Sequence, residues 1–417
     1  MRAVSFAMLV AAALSGCADE APITQPSHPQ LAADVDATPR YHIEIIRTTL
    51  GGTNSRGNAV NSRGWIAGFS NLTGNTTRHA TLWRNGAITD LETLGGTSSA
   101  VIWPGLNNAG LVAGISHTAE LDPLNEVWSC EAGGFLPATN PRQVCRGFVW
   151  QDGVMHELPT LGGTHGFAAG VNNSGQVVGW AETTVRDPTC TGVQVLGFKA
   201  VLWEPRKGKV QELPPLRGDS ASAATDINER GQAVGISGDC DQAVGRFSAR
   251  HGVIWEKGKP REVPNLGGIS WHTPQDINQR GDVVGFSNPP SARDLLGIFR
   301  ARGFLWIHGS DEAIDLGVLE GDSLSQGQAI NNRRDVVGVS FGGTVGPRAF
   351  LWRDGKIMDL NVLAGPGFGP GQPFQLRSAR DINDVGLITG DVLEASTNQI
   401  FTYVATPIRS EPPLGQP

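Results

Sequence analysis

One ten-residue segment recurs through this chain and leaves few folds open to it. Its clearest copy is Leu351-Trp352-Arg353-Asp354-Gly355-Lys356-Ile357-Met358-Asp359-Leu360. Earlier copies run Leu82-Trp83-Arg84-Asn85-Gly86-Ala87-Ile88-Thr89-Asp90-Leu91 and Val149-Trp150-Gln151-Asp152-Gly153-Val154-Met155-His156-Glu157-Leu158. An aromatic run enters an Asn-Gly or Asp-Gly pair and leaves through a short strand, which is the signal of a tight β-hairpin.

Around that segment a longer unit repeats. It holds a Leu-Gly-Gly-Thr-like step, an Asn-x-x-Gly turn, a Val-Val-Gly-like strand, a variable loop, the aromatic strand and the short exit strand. The Asn anchors are Asn61, Asn107, Asn172, Asn228, Asn278, Asn331 and Asn383, and the aromatic anchors are Trp83, Trp150, Trp203, Trp255, Trp306, Trp352 and Tyr403. Both series count seven, at intervals of roughly fifty residues with one longer gap, the period of a four-stranded propeller blade. In Asn61-Ser62-Arg63-Gly64, Asn172-Asn173-Ser174-Gly175 and Asn278-Gln279-Arg280-Gly281 a side-chain acceptor opens the turn and Gly closes it in the left-handed region. The Gly of Asp282-Val283-Val284-Gly285 is expected to let neighbouring blades approach.

The ends of the repeat complement each other. The last unit reaches its aromatic strand, Ile400–Val404, with no exit strand after it, and the first is preceded by an orphan strand, His42–Arg47. Pairing the two would leave no sheet edge bare, whereas an open solenoid would want capping units. The predicted fold is all-β: a seven-bladed β-propeller of four-stranded blades over 41–406, closed by the N-terminal strand on the C-terminal blade. Composition agrees, with 55 Gly, 11 Trp against 2 Tyr, and only 18 % charged residues. A net charge of −7 without a Lys/Arg run argues against nucleic acid as a partner.

Leu-Gly-Gly-Thr, Ile-Asn-Asn, Val-Val-Gly and Arg348-Ala349-Phe350-Leu351-Trp352 resemble the bacterial extracellular HAF repeat, named for a His-Ala-Phe triplet, over residues 41–404. The full triplet is rarely kept here: His79-Ala80-Thr81, Arg146-Gly147-Phe148 and Arg302-Gly303-Phe304 stand in its place. The resemblance implies an exported, repeat-built β protein and no particular activity. At the N-terminus, Arg2, an apolar run from Ala3 to Leu14 and then Leu14-Ser15-Gly16-Cys17 look like a bacterial lipobox, in which the cleaved chain begins at a lipid-bearing Cys. The alternative is an ordinary secretory signal with an incidental Cys. Ala18, standing where Asp would favour the inner membrane, suggests by the same resemblance an outer-membrane lipoprotein on the periplasmic or cell-surface side. Residues 1–16 are then a signal peptide, 17–40 a flexible tether and 407–417 a disordered tail.

With Cys17 lipidated, Cys130, Cys145, Cys190 and Cys240 remain, an even number in an exported chain. Of three possible pairings, Cys130–Cys145 within one insertion and Cys190–Cys240 between neighbouring loops is favoured. The absence of Cys-x-x-Cys spacing speaks against a metal site, and no cofactor is expected.

The variable segments near 117–145, 182–197, 238–249 and 288–301 should share one face with the Leu-Gly-Gly steps. Trp103, Trp128 and Trp271 fall near them and would suit a sugar ring or a partner protein if exposed; otherwise they pack the loops. His165, His272, Asp219 and Asp322 follow Gly-Gly-like steps and could converge at a channel mouth, the one start of an enzyme site. No nucleophile, base and orienter can be assigned. Gly321-Asp322-Ser323-Leu324 and Arg217-Gly218-Asp219-Ser220 imitate a lipase block and an adhesion tag, but both occupy the Leu-Gly-Gly slot. Asp226 and Asp276 open Asp-x-Asn-x-x-Gly segments like calcium loops, without the later Glu. The expected function is a lipid-anchored, monomeric envelope module binding a glycan or an envelope protein through its loop face. A polysaccharide hydrolase or lyase and an assembly scaffold are the alternatives.

Overall fold

The computed structural model describes residues 40–408 except 127, 132–133, 243 and 292–293, with backbone alone at 128 and 129. The expected signal peptide, Cys17, nearly all of the tether and the tail beyond 408 lie outside the described residues.

Each Asn-x-x-Gly segment is a turn organised by one side chain. Asn61 Oδ1 accepts the N–H groups of Arg63 and Trp65, both at 3.0 Å, and Gly64 N–H returns to the Asn61 carbonyl. Gly64 closes the turn at φ 75°, a conformation that costs glycine little. Asn107, Asn228, Asn278, Asn331 and Asn383 repeat both side-chain bonds. Unit six departs from the pattern, because Arg334 stands in the glycine position at φ 66°. Its Nε lies 2.8 Å from Asp282 Oδ2 in unit five.

These turns join four-stranded antiparallel sheets. Unit two runs Gly95–Ala100, Val112–Leu121, Gln143–Gln151 and Val154–Glu157, each strand paired with the next. Units three to six repeat this order as separate sheets. Unit seven supplies Phe374–Ile382, Ile388–Glu394 and Gln399–Pro407, and its fourth strand is Tyr41–Ile46 from the other end of the chain. That pair is antiparallel, with Tyr41 opposite Pro407 and Ile46 opposite Thr402. The orphan strand therefore begins one residue earlier than the sequence predicts. One parallel pair, Asn54 with Ile400, links this group to the four strands of unit one.

A chain of side-chain amides ties the units together. Asn61 Nδ2 donates to the Asn107 carbonyl, Asn107 to Asn172, Asn172 to Asn228, Asn228 to Asn278, Asn278 to Asn331 and Asn331 to Asn383. Asn383 Nδ2 then donates to the Asn61 carbonyl at 3.0 Å. These amides are buried or nearly so, where an unmade bond would be costly.

The core lies between successive sheets. Ala59, Ala67 and Leu82 of unit one pack on Val101, Val112, Phe148 and Trp150 of unit two, and similar clusters follow along the chain. Trp83, Trp203, Trp255 and Trp306 are almost fully buried. Their indole N–H groups donate to carbonyls, for example Trp203 to Pro159 and Trp255 to Pro214, so burial leaves no orphan donor. Removing one such ring should cost about 3–5 kcal/mol.

The glycine of Val-Val-Gly serves a different neighbour from the one expected. A Cβ on Gly285 would lie 2.2 Å from the Thr273 carbonyl, and one on Gly338 2.0 Å from that of Gln326. Both carbonyls belong to the first strand of the same sheet, where the ladder bulges before the Asn turn. Glycine is needed for the bulge within a blade-like sheet, not for contact between sheets.

Candidate functional site

The segments between second and third strands, and the Leu-Gly-Gly steps, emerge at the opposite strand ends from the Asn turns. On that side two disulfides form, Cys130–Cys145 and Cys190–Cys240. The second joins the loops of units three and four. The unit-two insertion is also held by Glu131, which accepts from Thr139 N–H at 2.8 Å and from Arg142 Nε at 3.0 Å.

Two clefts open on this side. The first, of about 360 Å3, lies between Thr76 and Thr77 of unit one, Thr97 of the next Leu-Gly-Gly-Thr step, and Leu121, Pro137 and Asn140 of the insertion. Thr97 is held in place by Gln143, whose Oε1 accepts from its N–H at 3.1 Å and from its hydroxyl at 2.8 Å. The second, of about 400 Å3, is lined by Phe247, Arg250, His251, Glu262, Asn265 and Ile269. There His251 Nδ1 and Glu262 Oε1 are 3.0 Å apart.

Beneath the insertion sits a buried polar cluster. Glu182 Oε2 accepts the N–H groups of Thr164 and His165, and its Oε1 accepts from Gln194. Glu126 Oε1 accepts from Val195 and Leu196, which ties the insertion to unit three. Burial lifts the Glu182 carboxyl to about 7 against the opposing pull of His165. Burial also disfavours a charged His165 ring, but Asp122, Glu182 and Glu126 outweigh it and raise its pKa. The Cys145 N–H nevertheless points at Nδ1 from 3.1 Å, which requires that nitrogen to be unprotonated. In the neutral ring the proton is then on Nε2, facing Asp122 Oδ2 at 3.3 Å. Asp122, Glu126 and His165 lie close enough to surround an ion, yet this tautomer offers no free ring lone pair. Cys130 and Cys145, also beside His165, are committed to their disulfide.

The other residues singled out by sequence are dispersed. Trp103 is only 8 % exposed, packed edge-on against Phe167 and Trp180 and tilted against Phe135 of the insertion. It is a core residue, the packing reading of the two left open for it. Trp128 begins the turn Trp128–Glu131, and its side chain lies outside the described residues. Trp271 donates to the Gly297 carbonyl at 2.7 Å and meets Phe299 edge-on, so it braces a loop.

His165, His272, Asp219 and Asp322, which could have converged at a channel mouth, are each bonded to a different set of protein groups. His272 is fully buried, accepts Gly252 N–H on Nδ1, and is pushed down to about 3 by burial and by His251. Asp219 accepts from Ser237, and Asp322 from Ser340 and Arg348. Asp219 and Asp322 are spent within their own units, whereas His165 and His272 each bond into the preceding unit. The calcium-like segments are hairpins, since Asn278 Oδ1 serves Arg280 and Asp282 N–H while Asp226 Oδ2 accepts Ile277 N–H of the next unit.

Sequence reading missed a recurrent serine. Ser70, Ser116, Ser237, Ser287 and Ser340, two residues after the Gly of the Val-Val-Gly-like strand in five of the seven units, accept the N–H of Leu50, Leu94, Leu216, Leu266 and Leu319. The Gly-x-Ser spacing was there to be seen. It fixes the Leu-Gly-Gly step that borders both clefts.

No family model and no curated protein matches this chain. Solved structures do resemble it. They include the β-propeller domain of the Trilobed protease from Pyrococcus furiosus, with TM-score 0.46, 11 % identity, and 86 % of this chain and 96 % of that one covered. A PL25 polysaccharide lyase, an ulvan lyase, gives TM-score 0.43 and 8 % identity over 85 % and 95 % of the two chains. Trypanosoma rangeli sialidase gives 0.36 and 9 % over 88 % and 58 %. The chain is all-β with repeated four-stranded antiparallel sheets, and a β-propeller domain is among the solved structures that resemble it. Likeness at this level carries nothing about activity.

Proposed function

We propose that the seven units form a closed seven-bladed propeller, held at the bacterial envelope by a lipid on Cys17, whose loop-bearing face binds a neutral glycan. The cycle of seven Asn amides supports the blade count and the closure. The first cleft carries the functional reading. Its wall is made of hydroxyls and amides from Thr76, Thr77, Thr97 and Asn140, set beside the apolar Leu121 and Pro137, and none of its lining residues is charged. Sugar rings present the same mixture of hydroxyls and C–H faces, and a braced rim keeps the ordering cost of binding low. A hydrolase or lyase reading has less behind it, because each of the four residues suggested for it already bonds a group of the protein.

The test is a glycan array probed with the intact protein, with Thr76→Arg to fill the cleft and Lys356→Gln on the opposite hairpin as control. A bound neutral saccharide lost in the first variant and kept in the second is expected. Binding that ignores Thr76→Arg, or no saccharide bound at all, removes the reading. Partner capture from intact envelopes would then favour a protein ligand.

A further inference from the structure

Two arginines reach one carboxylate, and a third lies nearby, where units seven and one meet. Arg56 is on the first strand of unit one, Gly51–Val60, and Arg377 and Arg380 are on the first strand of unit seven, Phe374–Ile382. Asp391, on the second strand of unit seven, is 3 % exposed at its side chain. Its Oδ1 already accepts the Ser378 hydroxyl, with Arg56 Nε at 3.4 Å and Arg380 Nε at 4.0 Å. Arg377 is near enough for its charge to act on both Arg380 and Asp391.

The positive charge is in excess. Three guanidinium groups face one carboxylate, and a fourth, Arg78, lies 4.6 Å over the Phe69 ring that Arg56 also covers from 5.6 Å. Arg78 and Arg380 are both drawn down to about 10, by burial first and by the charge of Arg56 second. The Nε of Arg78 is buried without a hydrogen-bond acceptor, and that of Arg56 meets Asp391 only as the 3.4 Å ion pair. The Arg377 side chain, on a half-buried residue, makes no hydrogen bond or ion pair among the described residues. On the flank, Arg380 Nη1 donates to Gln328 Oε1, whose amide continues to Gln326.

A structural role for Asp391 needs one arginine and the Ser378 hydroxyl. The further guanidinium groups leave positive charge that Asp391 does not balance, and an anion entering from solvent would offset it. We propose that Arg56, Arg377 and Arg380 form a binding site for an oxyanion, a carboxylate, sulfate or phosphate group, at the junction of the two chain ends. Guanidinium forks match the paired oxygens of such groups, and partial burial protects the interaction from screening. This site is separate from the neutral cleft and stands whether or not that cleft takes a glycan.

The test is calorimetric titration of the full chain with inorganic phosphate, with sulfate and with glucuronate, at constant ionic strength against chloride. Saturable one-site binding is expected, weakened about tenfold in Arg377→Gln, the loss of one charge-assisted bond. Arg377 bonds no protein group, so this variant should keep its melting temperature, whereas Arg56→Gln could fail through loss of its Asp391 contact. Tighter binding of glucuronate would mark an acidic sugar as the source of the anion, and tighter binding of phosphate or sulfate a free ion. Binding equal in the wild type and Arg377→Gln, or none beyond chloride, overturns the proposal.

Discussion

Asn383 donates its side-chain amide to the carbonyl of Asn61, 322 positions earlier in the chain, at 3.0 Å. The same side chain also organises its own turn by accepting Val385 and Leu387 N–H. One residue therefore serves local and long-range order together. Asn383→Ala should cost about 1–3 kcal/mol in urea unfolding, through the buried groups left unpaired. Asn228→Ala, which loses the same kinds of bond and one more to Gln232 Oε1, should cost at least as much. A cost at Asn228 with none at Asn383 would mean that the junction of the ends contributes nothing.

Deleting 41–46 bares the strand Gln399–Pro407, which Tyr41–Ile46 covers over six paired positions. An uncovered edge recruits another strand. The truncated chain should dimerise or aggregate in sedimentation runs at concentrations where the full chain stays monomeric.

Asp381 sets a pH dependence. Its carboxyl is lifted from the ordinary 3.8 to about 8, by burial first and by the charge of Asp276 second. A raised carboxyl holds its proton more firmly folded than unfolded, so its contribution is whole below about pH 4 and declines as pH climbs to about 8. Asp381→Asn keeps an acceptor for Val60 N–H, which the carboxylate meets at 2.6 Å. The variant should melt about 1–3 °C higher than wild type at pH 8 and no higher at pH 4. A constant difference across that range would contradict the assignment.

Arg334 combines a left-handed backbone with an ion pair to Asp282. Glycine there would relieve roughly 1 kcal/mol of backbone cost while losing a bridge worth about 0.5–1 kcal/mol. Arg334→Gly should thus be near neutral, and Arg334→Ala, which loses the bridge and keeps the strain, should be destabilised. Chemical denaturation of the pair decides it.

The two disulfides should differ in reach. Cys190–Cys240 spans 50 positions and crosses from unit three to unit four, and its double Ser variant should lose about 2–4 kcal/mol of global stability. Cys130–Cys145 spans 15 positions. Its loss should appear chiefly as faster amide exchange within 117–145.

The periodic parts of this molecule were readable because each is a local rule. Asn with Gly three residues on makes a turn wherever it occurs, and Trp before Asn-Gly or Asp-Gly marks a buried third strand. The complementary ends, Tyr41–Ile46 and Gln399–Pro407, could be matched by asking which strand each terminal unit lacked. Trp103 could not be placed that way. Its burial depends on Phe135, which a long insertion folds back onto it. The arginine cluster was hidden too, since Arg56 and Arg380 become neighbours only once the first and last units abut. His165 and His272 share a sequence slot with Asp219 and Asp322, but sharing a slot does not bring side chains from different units together.

The outermost strand of unit seven has a mechanical consequence. Any pull transmitted through residues before Tyr41 reaches the body of the protein first through that strand's six paired positions with Thr402–Pro407. Arg40 reinforces the grip, donating to the Leu363 carbonyl and accepting from Ile408 N–H. The fastening that completes the last sheet is also the first to bear load, so traction on the N-terminus would work the molecule open from its seam while the interior sheets stayed intact.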